Sequence, residues 1–342
     1  MKSTILAKAA MAFLLLKFGV TVRRIQQAGR NGFLILMYHR VLPADKVNWK
    51  IQPGMYVTPS TLYIHLNFLK RFFDIVPLSK MISSCSEPEV SERPLVALTF
   101  DDGWRDFYDY AYPVLKAHDL PATVFLATNF IGAHDMFWTD RVPDLLHELA
   151  RVKKIVFEDD KELGRALQKI KDLSGSKEFR LEQAISILKP FPCEKIEMLF
   201  KSLLPEGPGK LAGKERLFLN WDEVGEMLGS SLISFGSHTC SHQILTTLGE
   251  ADILSELADS KHVLLQKGVC KHDFIPFCYP NGNHTKRIAE IVRESGYSMA
   301  VTTLNGWNRM NADPYTLKRV GIHNDMTFTE SMFGAQIVNL FS

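Results

Sequence analysis

Two adjacent carboxylates follow an apolar run in the first third of this 342-residue chain. The segment Leu95–Trp104 reads Leu-Val-Ala-Leu-Thr-Phe-Asp-Asp-Gly-Trp, and its apolar residues predict a buried strand that ends at Asp101 and Asp102. In α/β proteins, catalytic groups lie at the carboxyl ends of strands. Because two buried carboxylates without a cation would be costly, we expect a metal ion or a positive side chain beside them.

A pair of histidines follows a second predicted strand, Leu232–Gly236. The spacing of His238 and His242 would place both imidazoles on one face of a helical turn, where they can share a metal ion. A solvated loop explains the pair equally well by itself, but the aspartates offer a third ligand. Two imidazoles and one carboxylate form a common catalytic metal site, which zinc or another divalent ion would fit.

Two neighbouring aspartates allow a division of roles. One carboxylate can bind the metal, while the other takes a proton from metal-bound water, whose pKa falls from ~16 toward ~7. The alternative is that one aspartate caps the following helix.

Strands and helices alternate around these motifs. This alternation predicts a parallel sheet wound by right-handed crossovers, and the number of strands predicts a barrel-like α/β domain. The predicted strands beyond the two above are Phe33–Val41, Ala122–Thr128, Asp273–Tyr279, Ser298–Thr303 and Leu317–Ile322. Residues of about 140–215, rich in Lys, Glu and Leu at helical spacing, are predicted to form a helical insertion in a domain of about 31–330.

Residues 1–30 combine an apolar run, Ala9–Leu16, with basic flanks such as Lys8, Lys17 and Arg23. The run is shorter than the ~20 residues that span a bilayer, and no small-residue cleavage site follows it. We expect an amphipathic helix on a membrane surface or, equally, a helix that packs on the domain. A cytoplasmic or peripheral membrane location is favoured, and an exported cell-envelope enzyme is the alternative.

The composition excludes some classes of protein. Lys plus Arg number 40 and Asp plus Glu 38, so the net charge of +2 gives no support for a nucleic-acid partner. The 5 cysteines include no Cys-x-x-Cys pair, which argues against a disulfide framework and against a cysteine zinc site.

Three motifs, in this order, resemble those of the polysaccharide deacetylase family with the NodB homology domain. They are Thr99-Phe100-Asp101-Asp102-Gly103, His238-Thr239-Cys240-Ser241-His242 and Phe277-Cys278-Tyr279-Pro280-Asn281-Gly282. The resemblance implies a deformed (β/α)7-type barrel with a helical insertion. It also implies an enzyme that uses a divalent metal to remove N-acetyl groups from a carbohydrate polymer or oligosaccharide.

The resemblance also implies roles for single residues. Asp101 is expected to be the catalytic base, and Asp102, His238 and His242 are expected to hold the metal. The general acid would be His323, which follows a late predicted strand, although a surface histidine explains that position equally well. The Pro280–Gly282 turn would lie against the substrate, with the backbone amide of Asn281 as the oxyanion donor. Apart from the resemblance, His39 ends a predicted strand at the same edge, and Trp104 and Tyr279 have flat rings that suit a sugar. Core packing is the alternative for both rings.

Two departures from the family pattern concern the base. Cys278 occupies the position of an arginine that often orients it, and no acidic partner for such an arginine lies around Thr302–Trp307. The orientation of Asp101 is therefore unexplained by the sequence. Two alternatives stay open: a hydrolase of another amide, such as a formamide on a lipid-linked sugar, and a carbohydrate-binding protein that has lost turnover.

Overall fold

The computed structural model describes residues 2–86, 92–152, 160–204 and 216–340. Its strands are β1 (Gly32–Tyr38), β2 (Arg40–Val41), β3 (Tyr56–Val57), β4 (Asp74–Ile75), β5 (Leu95–Phe100), β6 (Ala122–Leu126), β7 (Ile233–Ser237), β8 (Pro276–Cys278), β9 (Met299–Val301), β10 (Asn308–Arg309) and β11 (Val320–Gly321). Each predicted strand corresponds to an observed one, usually shortened at its ends.

The main sheet is a curled parallel sheet with the order β1-β5-β6-β7-β8-β9. Strand β11 pairs with β1 in parallel, and a parallel bridge joins Val301 to Leu317. The segment from Leu317 to β11 therefore lies between the first and last strands of the series and closes the curl. This arrangement confirms the predicted deformed (β/α)7-type barrel; β10 adds an antiparallel strand beside β1.

Alternation of side chains along each strand sorts the core into an inner and an outer layer. Leu34 and Leu36 belong to the large cluster beneath the surrounding helices, whereas Phe33 and Ile35 belong to a second cluster with Ala97. Every residue of β5 is buried, as expected of a central parallel strand. The inward series on β5 runs through alternate residues toward Asp101, at the carboxyl edge.

The helices cover this sheet and build a second unit. They are α1 (Lys2–Lys17), α2 (Val20–Gly29), α3 (Pro59–Phe72), α4 (Lys80–Ser86), α5 (Tyr112–His118), α6 (Trp138–Arg151), α7 (Lys161–Lys171), α8 (Lys177–Leu188), α9 (Cys193–Leu203), α10 (Trp221–Gly229), α11 (Glu250–Gln266), α12 (Lys286–Glu294), α13 (Asn324–Thr327) and α14 (Glu330–Ile337). Local signals start several of them: Thr58 caps α3, and Asn220 with Glu223 forms a capping box at α10.

The chain divides into two compact units. One contains residues 1–44, 54–133 and 218–342, and the other contains residues 45–53 and 134–217. The second unit holds α6 to α9 around its own apolar core, which includes Leu145, Leu167 and Phe200. The predicted end of the insertion, at about 215, falls outside the described residues.

The N-terminal segment forms two helices instead of one. Ala12 of α1 is buried against Met332 and Ala335 of α14, whereas Phe13 is 57% exposed. Apolar side chains thus lie on both the packed side and the exposed side of α1. Among the described residues no single helix is long and apolar enough to cross a membrane. The pair Thr4–Lys17 and Val20–Gly29 reaches the required length and apolar composition only when its two helices are counted together, and they are bent by 72° relative to each other.

Candidate active site

Three side chains that are distant in sequence meet at the carboxyl edge of the sheet. Asp102 follows β5, and His238 and His242 follow β7. The Nε2 atoms of His238 and His242 lie 3.3 and 3.2 Å from Oδ1 of Asp102. The three potential ligand atoms lie within 4.8 Å of one another. The fold therefore brings together the three residues that the sequence predicted as metal ligands.

The surroundings of these side chains fit a divalent ion. Nδ1 of His238 donates to the Cys278 carbonyl at 2.8 Å, so its Nε2 faces Asp102, where it donates to the carboxylate when protonated and offers a lone pair to an ion when neutral. The indole N–H of Trp104 donates to Oδ2 of Asp102 at 2.8 Å, while Oδ1 faces the imidazoles. Burial raises the pKa of Asp102, but hydrogen bonds from His238 and His242 outweigh it and hold the pKa well below its usual value. Two imidazole nitrogens and one ionised oxygen suit zinc and similar ions.

The histidine pair lies on a loop, and the predicted helical turn is wrong. Residues 238–242 have no helical assignment, and Thr239 and His242 have left-handed φ values of 64° and 59°. The amide of His242 donates to Oγ1 of Thr239 at 3.0 Å, so the threonine holds the turn locally. The two imidazoles thus converge on Asp102 from a non-helical loop with two left-handed residues.

Asp101 is held by an arginine that sequence reasoning missed. The guanidinium of Arg319 donates to Oδ1 and Oδ2 of Asp101 at 2.7 Å each, and Arg319 is fully buried. It also donates to Oγ1 of Thr99 at 3.1 Å and to the Thr302 carbonyl at 2.8 Å. The orientation of Asp101, which the sequence left unexplained, thus comes from the strand that closes the barrel.

A signal for this arginine was present in the sequence. Arg319 lies inside the predicted strand Leu317–Ile322, and a charged residue in a buried strand needs a partner. Burial raises the pKa of Asp101, but the charge and hydrogen bonds of Arg319 outweigh it, so the pKa is lowered and the carboxyl group stays ionised.

Cys278 lies beside this pair. Its Sγ is 3.2 Å from a guanidinium nitrogen of Arg319 and 3.5 Å from Oδ2 of Asp101. The thiol, Asp101 and His238 also have potential ligand atoms within 4.8 Å of one another. Burial raises the pKa of Cys278, and the adjacent guanidinium repels a cation. The group around Asp102 is therefore the better metal site.

Two further histidines stand at the same edge. Nε2 of His39, after β1, lies 3.8 Å from Oδ2 of Asp101, and burial lowers the pKa of this imidazole against the pull of Asp101 and Asp102. His323 follows β11, which pairs with β1, and its Nδ1 lies 3.6 Å from Oδ2 of Asp325. The role of His323 as the acid stays a prediction.

The predicted aromatic contacts with substrate are buried. Trp104 is 3% exposed, stacks on Phe218 and lies under the guanidinium of Arg40 at 4.3 Å. Tyr279 is fully buried and donates its hydroxyl to the Tyr315 carbonyl at 3.0 Å. Neither ring offers an exposed face to a sugar, so both follow the alternative of core packing, and Trp104 also orients Asp102.

In the turn after β8, one of the two predicted substrate contacts, Asn281, is exposed at the surface. Pro280 is buried, whereas Asn281 is exposed and has a left-handed φ of 56°. Gly282 follows with a φ of 75°, and a Cβ there would collide with Thr303. The Asn281 amide as the oxyanion donor stays a prediction.

The comparisons with known proteins agree with this geometry. The family model for polysaccharide deacetylases matches residues 89–177 and 207–300. The chain belongs to the polysaccharide deacetylase family. It is accordingly a hydrolase of non-peptide carbon–nitrogen bonds, as its motifs predicted.

The individual relatives are distant, and two of the three described here cover most of this chain. The protein YxkH of Bacillus subtilis is 22% identical over 308 residues, which are 90% of this chain and 76% of YxkH. The poly-β-1,6-N-acetyl-D-glucosamine N-deacetylase of Staphylococcus epidermidis is 33% identical over 113 residues, 30% of this chain and 39% of that protein. The Streptococcus pyogenes deacetylase PplD, solved in complex with acetate, superposes with a TM-score of 0.57 at 20% identity, covering 90% of this chain and 98% of PplD.

Proposed function

We propose that this polysaccharide deacetylase depends on a divalent metal, with zinc as the ion that suits the site, and removes N-acetyl groups from amino sugars of a polysaccharide or oligosaccharide. The observation that carries the proposal is an ionised, arginine-held Asp101 directly beside the cluster of Asp102, His238 and His242. A divalent ion in that cluster would acidify water and polarise the amide carbonyl. The reaction consumes one water and yields acetate and a free amine.

The residues then divide the work. Asp101 accepts the proton of the attacking water, because its carboxylate is ionised and held in one orientation by Arg319. The backbone N–H of Asn281 donates to the substrate oxygen on which negative charge develops. His323, at the end of β11, supplies a proton to the departing amine.

Replacement of the base tests the assignment. We expect Asp101→Asn to bind zinc as the wild type does but to lose activity by about 10²–10⁴-fold, because the general base is lost while the three predicted ligands are unchanged. Folding of this variant has to be checked, since the buried Arg319 loses its charged partner. We expect His238→Ala to lose both zinc binding and deacetylase activity. Release of acetate from N-acetylglucosamine oligomers and zinc titration of the purified variants measure the two effects. Wild-type turnover by Asp101→Asn would refute the role of the base.

The N-terminal helices favour a second substrate class, a formamide on a lipid-linked sugar, because their exposed apolar side would suit a lipid-bound substrate. Formate and acetate release from a panel of acylated amino sugars separates the two activities. The third alternative, a binding protein without turnover, loses its main support, since Arg319 supplies the orientation that the sequence had lacked.

We also propose that α1 and α2 bind the surface of an anionic membrane and make the enzyme a peripheral membrane protein. Leu6 and Phe18 are 70% and 75% exposed on or next to α1. Arg23 and Arg24 are exposed on α2, and the first 44 residues contain no acidic residue. Apolar side chains flanked by basic ones suit an interface of lipid tails and anionic headgroups.

Sedimentation with vesicles of phosphatidylcholine and phosphatidylglycerol tests the membrane contact. We expect the triple variant Leu6→Ser, Phe13→Ser, Phe18→Ser to stay in the supernatant. The control Tyr63→Ser, which removes an exposed ring on α3, should sediment like the wild type. A wild-type protein that ignores these vesicles, or a triple variant that binds them equally, would exclude the contact.

A further inference from the structure

A buried carboxylate lies behind the histidine loop. Glu256 of α11 is 7% exposed, and its Oε2 accepts the backbone amides of Cys240 at 3.0 Å and Ser241 at 2.9 Å. Its Oε1 accepts the hydroxyl of Ser241. The carboxylate therefore receives three hydrogen bonds from the two residues at the centre of the loop.

The loop needs such support because of its backbone. Thr239 and His242 have left-handed φ values without being glycine, a conformation that persists only when the surroundings impose it. A left-handed residue turns the following N–H groups toward one side, and this forms a concave site for an anion. The Glu256 carboxylate occupies that concavity. Burial raises its pKa, but hydrogen bonds from Ser241 and Cys240 outweigh it and keep the group ionised.

The Glu256 carboxylate has no recorded hydrogen bond to the predicted metal ligands. It contacts Cys240 and Ser241, which lie between the two histidines, and none of its hydrogen bonds that the structure records reaches His238, His242 or Asp102. Its effect on the imidazoles is therefore exerted through the backbone of the loop.

We propose that Glu256 is a positioning residue for the metal site: it holds the loop in the left-handed conformation that brings His238 and His242 together at Asp102. The proposal rests on the metal dependence proposed above. Hydrogen-bond partners that orient ligands typically change metal affinity by about 10–100-fold when removed.

The test replaces the carboxylate by a side chain of similar size without acceptors. We expect Glu256→Leu to weaken zinc binding by about 10–100-fold, measured by competition with a fluorescent chelator. We expect Glu256→Gln, whose amide oxygen still accepts from both backbone amides, to stay within a few-fold of the wild type. The matched control Asp259→Leu changes an exposed acid of the same helix and should bind zinc like the wild type.

A second readout distinguishes positioning from general destabilisation. Because Asp101 and Arg319 do not contact Glu256, deacetylation by Glu256→Leu should recover toward the wild-type rate when zinc is raised to saturation. If Glu256→Leu does not fold, Ser241→Ala removes one of the three hydrogen bonds, and we expect zinc binding to weaken about 3–10-fold.

The outcomes separate the two proposals. A wild-type protein that binds no zinc would end the metal dependence and this inference with it. A wild type that binds zinc, together with folded Glu256 and Ser241 variants of unchanged affinity, would overturn the positioning role alone and leave the deacetylase mechanism intact.

Discussion

The carboxylate of Asp101 illustrates how a buried acid stays ionised. Burial favours its protonated form, and the guanidinium of Arg319 reverses that preference through two parallel hydrogen bonds of 2.7 Å. The same arginine is anchored to the Thr302 carbonyl, so it cannot follow Asp101 if the carboxylate rotates. The charge and the orientation of this carboxylate thus have one source.

We predict that Arg319→Met lowers kcat by about 10²–10⁴-fold, because Asp101 loses both its orientation and its ionised state. Zinc affinity should change little, since Arg319 contacts Asp101 and not the three predicted ligands. Deacetylation kinetics and zinc titration on the same preparation measure the two effects.

Stability has to be monitored for this variant, because loss of one partner of a buried ion pair costs roughly 3–5 kcal/mol. Arg319→Lys keeps the charge without the paired hydrogen bonds and should also be impaired. Arg287→Met on the exposed face of α12 is the control. A folded Arg319→Met protein with the kcat of the wild type would contradict the prediction.

Among the elements, α3 is tied to the segment after β11 by one buried histidine. Nε2 of His65 donates to the Thr327 carbonyl at 2.7 Å, and Nδ1 accepts the hydroxyl of Tyr38 at 3.2 Å. The ring stacks on Phe333 of α14 at 3.9 Å between centroids. This neutral imidazole therefore secures the segment that begins just after His323.

We predict that the free energy of unfolding falls as the pH is lowered from about 6.5 to about 4 and that His65 causes part of the fall. Burial lowers the pKa of His65 from 6.5 to about 4. Between these pH values His65 binds a proton in the unfolded chain but not in the folded protein, so acidification favours unfolding. The contribution of His65 over this range is on the order of 3 kcal/mol.

Denaturant unfolding at several pH values, compared between the wild type and His65→Gln, measures this contribution. The variant should be less stable at pH 7 but should lose less stability on acidification. Parallel curves for the two proteins across this pH range would show that His65 does not contribute.

Among the described residues, each of the two compact units has apolar clusters of its own. Residues 134–217 with 45–53 form a unit whose apolar side chains, such as Leu167 and Phe200, cluster apart from those of the barrel. Separate cores of this kind permit separate unfolding transitions.

We predict that Leu167→Ala destabilises the second unit by about 2–5 kcal/mol, because the fully buried side chain leaves a cavity. Scanning calorimetry should show one transition shifted to lower temperature and the other retained, and zinc titration should be unchanged, because the three predicted ligands belong to the barrel unit. A single transition that shifts as a whole would show that the two units unfold together.

Local sequence was sufficient for the features that depend on short-range pattern. The apolar run before Asp101, the spacing of His238 and His242 and the alternation of strands and helices indicated the edge of the sheet, the residues that meet there and, together with the motifs, the family. These features can be recognised from the sequence because the periodicity of a strand and the position of its end are properties of a few consecutive residues.

The features that sequence missed depend on closure of the barrel and on backbone conformation. Arg319 lies 218 residues after Asp101 and reaches it because the last strand returns to β1. No local spacing encodes that contact. The left-handed loop of His238 and His242 depends in the same way on Glu256 of the following helix, and Trp104 proved to be buried because Phe218 covers it. Long-range contacts of this kind are set by how the layers pack, which no single stretch of the chain specifies.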